Sequence, residues 1–152
     1  MAEIRLSAGR WLLAAFLAAT LACTPRVPDT IVEADTPAIG PDGRLKEDIG
    51  LETLGGVFTP LLRTGCAIPC SIEQTFSTAE DNQTQIRIFL HRGTGALVAK
   101  TELLGRFEIQ GVPPGRKGEP QVKVTLSVEK GNITLRATDA SGKRLVIKRL
   151  EA

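Results

Sequence analysis

Few residues of this chain have the type and spacing to do chemistry. His91 is the one histidine in the sequence, so it has no partner for a His-rich metal site, and we find no Ser/His/Asp set around it. Glu80 and Asp81 are adjacent acids, but neighbouring side chains on an extended chain point apart, which argues against paired carboxylates for acid/base catalysis. The sequence has no Walker-type phosphate loop. We therefore predict no enzyme activity, no catalytic residues, no metal site and no cofactor, and we expect His91 to be an exposed strand residue.

Cys66 and Cys70 lie close together in the sequence TGCAIPCS. In an exported protein this spacing favours a local disulfide, which would be worth about 2 kcal/mol through loop entropy. Free thiols and metal ligands are the alternatives, although two cysteines are too few for a structural zinc site.

The N-terminus has the pattern of an export signal. Arg5 and Arg10 precede an unbroken apolar run over residues 11–22, which is shorter than the roughly 20 residues that a membrane-spanning helix needs. We predict a signal sequence over residues 1–22. Leu-Ala-Cys at its end resembles the bacterial lipobox, which implies lipidation of Cys23 and a location in the cell envelope, on the periplasmic side. Simple cleavage, an uncleaved anchor, or a start codon placed too early in a cytoplasmic protein are the alternatives.

Residues 23–46 differ from the rest of the chain in composition. Pro25, Pro28, Pro37 and Pro41 occur with glycines and acidic residues, and no sustained periodicity is present. This composition predicts a flexible tether between the signal segment and a domain over residues 47–150.

The domain itself has the period-2 pattern of β-strands. Residues 122–128 and 133–138 alternate apolar and polar side chains on either side of Lys-Gly-Asn, which predicts an antiparallel hairpin. Further strands are expected within residues 56–62, 71–76, 86–91, 105–109 and 145–148. About eight short strands without a convincing amphipathic helix predict an all-β fold, a single antiparallel β-sandwich.

Charge and aromatic content argue against nucleic acid as a partner. The formal net charge of +2 is spread without a basic block, and aromatic residues make up only 4% of the chain. The chain therefore has neither the electrostatic surface nor the stacking platform that nucleic acids require.

A polar loop over residues 77–83, STAEDNQ, joins two of the predicted strands. It contains neither glycine nor proline, so it does not predict a tight hairpin turn. Together with LETLGGVFTPLL, LGRFEIQGVPPGRKGEPQVKVTL and GNITLRATDASGK, the segment FSTAEDNQTQIRI resembles the substrate-binding β-subdomain of the 70-kDa heat-shock chaperones, the DnaK type in bacteria. The resemblance runs in order from Asp48 to Leu150.

The resemblance implies a cleft that binds an extended peptide. Leu54 and Ala79 would form an arch over the peptide, and Ser77 and Gln83 would hydrogen-bond its main chain. The residues that would line a pocket for one apolar side chain are Leu51, Thr53, Phe76, Ile86, Ile88 and Val122. Without the resemblance, the same apolar residues would be interpreted as ordinary core.

The resemblance covers only one part of those chaperones. We expect neither a nucleotide-binding domain before it nor a helical lid after it, and Lys117 and Asp81 stand where the family latches its lid. The predicted function is therefore ATP-independent, holdase-like binding of extended apolar segments of unfolded proteins, with a membrane attachment at the N-terminus. The alternative is a structural or interaction domain of an envelope lipoprotein that has lost peptide binding.

Overall fold

A computed structural model describes residues 27–33 and 39–151 of the chain. Both sheets are antiparallel, which confirms the predicted all-β class. A 3-10 helix, Val98–Lys100, lies between the fifth and sixth strands. The strands are β1 (Thr30–Glu33), β2 (Asp48–Thr53), β3 (Val57–Leu62), β4 (Cys70–Ser77), β5 (Gln85–Gly93), β6 (Glu102–Gln110), β7 (Gln121–Glu129), β8 (Asn132–Asp139) and β9 (Val146–Leu150).

The two sheets enclose one apolar core. Their strand orders are β1-β8-β7-β4 and β3-β2-β5-β6-β9. Alternate residues of each central strand point inward, as the period-2 pattern requires. The largest fully buried side chains are Phe107, Leu45, Ile49, Leu90, Ile109, Leu126, Ile133, Leu135, Val112, Val122, Val124 and Val128.

The predicted hairpin of β7 and β8 is confirmed. Glu129 pairs with Asn132, which leaves Lys130 and Gly131 as a two-residue turn. Both turn residues have positive φ angles, 51° and 82°. This is the geometry of the turns that match the right-handed twist of a hairpin.

The ordered domain begins earlier than the predicted boundary at residue 47. β1 lies within the predicted tether and pairs antiparallel with β8, and Val32 and Leu45 are both part of the buried core. β8 would otherwise be an edge strand with an unpaired row of main-chain groups, which β1 satisfies. The predicted tether over residues 23–46 is therefore wrong where β1 and the segment leading to β2 are ordered. The predicted signal sequence and Cys23 lie outside the described residues.

Residues 27–33, which we call the N-terminal strap, are also held by charge. Arg136 donates two hydrogen bonds to the Asp29 carboxylate, at 2.9 and 2.7 Å, and Arg144 donates another. The hydrogen bonds from Arg136, together with the charges of both arginines, lower the pKa of Asp29. From β9, Arg149 donates to the carbonyl oxygens of Val32 and Leu104, both at 2.9 Å, so the strap is tied to both sheets.

The prediction that His91 is exposed is wrong. The side chain is 7% exposed because the segment containing the 3-10 helix folds over it. Its Nδ1 lies 3.0 Å from the hydroxyl of Thr101, and its Nε2 lies 3.6 Å from the carboxylate of Glu52. Strand alternation alone did not show that a later loop covers the outer face of β5.

No described helix has both the length and the apolar character needed to cross a membrane. Within residues 27–33 and 39–151, no three His, Cys, Asp or Glu side chains are grouped in a way that would hold a metal ion.

Cys66, in the loop after β3, and Cys70, the first residue of β4, face each other. Their Cα atoms are 6.4 Å apart, a separation within the range of disulfides.

Candidate functional site

β2 and β5 are neighbours in one sheet, but they diverge at one end. They pair from Asp48 and Gly93 as far as Leu51 and Leu90. Beyond that point β2 continues beside β3 to Thr53, and β5 continues beside β6 to Gln85. The two strands therefore present facing margins that do not pair with each other.

A local irregularity precedes this divergence. The β2–β3 register shifts between Ile49 and Gly50. A Cβ atom at Gly50 would lie 2.1 Å from the carbonyl oxygen of Thr59, so only glycine lets β2 approach β3 this closely. Irregularities of this kind bend a strand, and this one lies just before the point where β2 and β5 stop pairing.

An apolar cavity of about 520 Å³ opens where the strands diverge. Leu51, Ile86 and Ile88 form buried walls, and half-buried Phe76 reaches in from β4 of the other sheet. Leu54 stands beside the opening with its side chain 98% exposed. An apolar recess with an exposed apolar rim is a typical feature of binding sites. The complete lining is Leu51, Glu52, Thr53, Leu54, Phe76, Ser77, Ile86, Arg87 and Ile88.

The polar loop between β4 and β5 is folded by one side chain. The Oε1 atom of Gln83 accepts hydrogen bonds from the main-chain N–H groups of Ala79 and Glu80, at 2.8 and 3.2 Å, and its Nε2 donates to the carbonyl oxygen of Gln85. Asn82 adopts a positive φ of 56°, which asparagine tolerates better than most residues. The loop thus makes its turn without glycine or proline.

A second loop, between β6 and β7, braces the first. The Asp81 carboxylate accepts a hydrogen bond from the main-chain N–H of Lys117 at 2.8 Å, and the Asn82 N–H donates to the Gly115 carbonyl oxygen at 2.7 Å. Thr78 is buried beneath them, and its carbonyl oxygen accepts from the Gly118 N–H at 3.1 Å. These bonds fix the polar loop at the margin of the cavity.

Comparison with known proteins identifies the family. Residues 21–147 match the protein family described as Hsp70 protein. The chain belongs to the Hsp70 family. Over 102 residues it is 43% identical to a protein named Chaperone protein DnaK from Anaplasma marginale (strain St. Maries). That match covers 66% of this chain and 16% of the relative, so the chain spans a small part of the relative's length.

Most residues that the Hsp70 resemblance implicates lie together. Ala79 and Gln83 line an adjoining cavity of about 650 Å³ that extends along the polar loop. Val122 pairs with Phe76 across β4 and β7 but is fully buried, and it lines neither cavity. The implicated residues that line the apolar cavity are Leu51, Thr53, Leu54, Phe76, Ser77, Ile86 and Ile88.

The Gln83 side chain hydrogen-bonds main-chain groups of its own chain, and its hydrogen bond to a peptide main chain stays a prediction. Its Oε1 atom is engaged within the polar loop and its Nε2 atom with the first residue of β5, so its hydrogen bonds shape the loop. Ser77 lines both cavities and is exposed.

Sequence reasoning did not single out two charged residues beside the apolar cavity, Glu52 and Arg87. Both line the apolar cavity. Each alternates with residues predicted to line the pocket, a position that normally points to solvent. Their place beside the opening depends on the divergence of β2 and β5, which the sequence pattern does not reveal.

Proposed function

We propose that this chain binds extended apolar segments of unfolded polypeptides in the cleft between β2 and β5, in a holdase-like manner and without nucleotide. The observation that carries the proposal is the apolar cavity of about 520 Å³ beside the exposed side chain of Leu54. Membership of the Hsp70 family supports a chaperone-type substrate-binding domain.

The cleft offers both kinds of contact that an extended peptide needs. The facing margins of β2 and β5 are not paired with each other, so their main-chain groups are available to a peptide backbone. The apolar cavity accepts one alternate side chain of that peptide. Burial of one leucine would contribute about 1.5–3 kcal/mol, and we expect a Kd between about 1 μM and 1 mM.

The proposed nucleotide independence is supported by how the cleft is built. Its walls belong to β2, β4 and β5 of this chain, and the polar loop is held by hydrogen bonds to the β6–β7 loop of the same chain. Every residue that lines the recess is therefore supplied by residues 51–88 of this chain. Binding in this proposal is passive, so the module would slow aggregation of its clients without driving their refolding.

Location in the cell envelope is a further part of the proposal. Its support is the order of features at the N-terminus: basic residues, an apolar run and then Cys23. Mass spectrometry of the membrane fraction tests it directly. An acylated Cys23 as the first residue would support a lipid-anchored chaperone, and an unmodified chain in the cytoplasm would contradict it.

Fluorescence anisotropy of a labelled, leucine-centred peptide titrated with the purified protein, without nucleotide, tests peptide binding. We expect saturable binding in the wild type and its loss in Ile86→Phe, because the larger ring fills the cavity. Val146→Phe is the matched control, since Val146 lies on the edge strand β9 and is already exposed. Light scattering of an aggregating client should show that the wild type and Val146→Phe slow aggregation and that Ile86→Phe does not.

The outcomes separate the two candidate functions. Binding that survives Ile86→Phe unchanged would place the peptide elsewhere and contradict the cleft. Wild-type protein that shows no saturable binding near 1 mM would overturn the proposal and favour a structural or interaction domain. Denaturation curves of both variants confirm that any loss does not reflect unfolding.

A further inference from the structure

Arg87 lies on β5 between two walls of the apolar cavity, Ile86 and Ile88. Strand alternation directs its side chain away from the core, and 71% of that side chain is exposed. Because β2 has left β5 at this level, Arg87 stands at the free margin of the cleft. A peptide bound there would pass beside a cation.

Three cavities meet at Arg87. The apolar cavity shares Ser77, Ile86 and Arg87 with the cavity along the polar loop. It also shares Arg87 with a third cavity of about 410 Å³, which follows the β2–β3 turn past Gly55. The three cavities adjoin through these shared residues, and Arg87 is the residue common to all of them; we call them together the groove.

Arg87 is the single cationic side chain in the lining of this groove among the described residues. Carboxylates also line the groove, Glu80 and Asp81 along the polar loop and Glu52 at both the apolar cavity and the β2–β3 turn. The field of the cation is therefore confined to the peptide residues nearest to Arg87. It acts on the part of a bound peptide that lies next to the apolar cavity.

The guanidinium is weakly engaged within the protein. Its nearest carboxylate is Glu108, with 3.8 Å between Nε and Oε2, and the other oxygen of Glu108 accepts a hydrogen bond from Gln110 at 2.7 Å. By contrast, Arg92 on the same strand is buried and lies 2.6 Å from the Glu102 carboxylate. The Arg87 end of this pair is largely exposed and the contact is long, whereas Glu108 is buried and keeps its hydrogen bond from Gln110, so Arg87 can exchange this contact for one with a ligand.

We infer that Arg87 makes the cleft selective for polypeptides with an aspartate or glutamate next to the apolar residue that enters the cavity. This inference rests on the proposed function. In an extended peptide, the neighbours of the inserted side chain point to the opposite face, which is the face that Arg87 occupies on β5. Opposite charges on facing strands attract, and like charges repel. A lysine at the same place in the peptide is therefore disfavoured.

The test uses three labelled peptides that differ only in the residue beside a central leucine: serine, aspartate or lysine. We expect the wild type to bind the aspartate peptide about two- to five-fold more tightly than the lysine peptide. Arg87→Gln should bring this ratio to one or below, because Glu52, Glu80 and Asp81 remain in the lining, and Arg87→Glu should lower it further. The wild-type ratio should also fall toward one at about 1 M salt, where the Debye length is near 3 Å.

Lys123→Gln is the matched control, because it removes the same charge from the outer face of the other sheet, where Lys123 pairs with exposed Glu73. We expect it to keep the wild-type ratio. A ratio that persists in Arg87→Gln, or a wild type that prefers lysine, would overturn the inference while the proposed function stands. If wild-type protein binds none of the three peptides, both the inference about Arg87 and the proposed function are contradicted.

Discussion

Two margins of this sandwich, the free side of β8 and the gap between β2 and β5, are treated in opposite ways by the chain. At one margin the N-terminal strap pairs with β8, buries Val32 and fixes Asp29 between two arginines. At the other, β2 and β5 separate, and no strand of the described chain fills the space between them. The strap shows that this chain can close an open margin with a segment of its own. The gap between β2 and β5 therefore does not reflect an inability of the chain to fill such a space.

The chemistry of the two margins differs accordingly. The strap margin is closed by ion pairs and main-chain hydrogen bonds that fit one defined segment. The cleft margin keeps apolar surface in contact with solvent, notably Leu54 and half-buried Phe76. Exposed apolar surface of this kind reduces stability unless something covers it, which agrees with a proposed peptide ligand.

The largest effect is expected from Val32→Asp, which would put a carboxylate into the core beneath the strap. We expect the free energy of unfolding to fall by about 3 kcal/mol or more, because a buried charge without a partner is costly. Ile31→Asp is the control on the adjacent residue, which is 57% exposed, and it should cost less than about 1 kcal/mol. Urea denaturation measures both. Equal losses would mean that the strap does not close the core.

A medium effect is expected at the cleft from Gln83→Ala. The change removes the acceptor for the Ala79 and Glu80 N–H groups, so the polar loop loses its internal support. At about 1 kcal/mol for such bonds, peptide affinity should weaken roughly five-fold. Hydrogen exchange of those two amides should accelerate as well.

Gln74→Ala serves as the control for that loop experiment, since Gln74 is an exposed residue of β4 whose amide reaches only its neighbour's carbonyl oxygen, at 3.5 Å. It should change neither affinity nor exchange at the two loop amides. Unchanged exchange in Gln83→Ala would show that the loop keeps its shape without this side chain.

The smallest effect is expected from Asp29→Asn, at about 0.5–1 kcal/mol near neutral pH, because the ion pairs are partly exposed. The pKa of Asp29 is lowered in the folded protein, so its contribution is fully present above its ordinary value of 3.8 and is lost as the pH falls through the lower folded value. The stability difference between wild type and variant should therefore shrink below about pH 4. A difference that stays constant on acidification would show that the charge of Asp29 does not stabilise the strap. Asp42→Asn, at an exposed turn, is the control.

Sequence patterns predicted the parts of the fold that depend on local alternation. The β7–β8 hairpin is the clearest example, since seven inward residues and a Lys-Gly turn specify both strands and their register. β1 was missed because four residues among prolines carry too little periodicity to outweigh the composition around them. Their partner, β8, lies about a hundred residues away in the sequence.

The candidate site divides in the same way. The sequence showed an alternating apolar pattern at Leu51, Phe76, Ile86 and Ile88. Alternation alone did not distinguish a cavity wall from core. In the structure, these four residues line the cavity and Val122 is buried in the core. The resemblance to the Hsp70 family named the loop, and only the structure showed that Gln83 folds it.

By itself, the sequence determined an all-β sandwich of the Hsp70 family with a glycine-free polar loop, because side-chain alternation and a distinctive motif are local properties of the chain. The tertiary structure decided where β2 parts from β5, that β1 closes the margin of β8, that a loop buries His91 and that Arg87 stands in the groove. Each of these depends on which distant segments pair and which do not. That choice is set by the total burial and hydrogen bonding of the whole domain, and no window of neighbouring residues contains it.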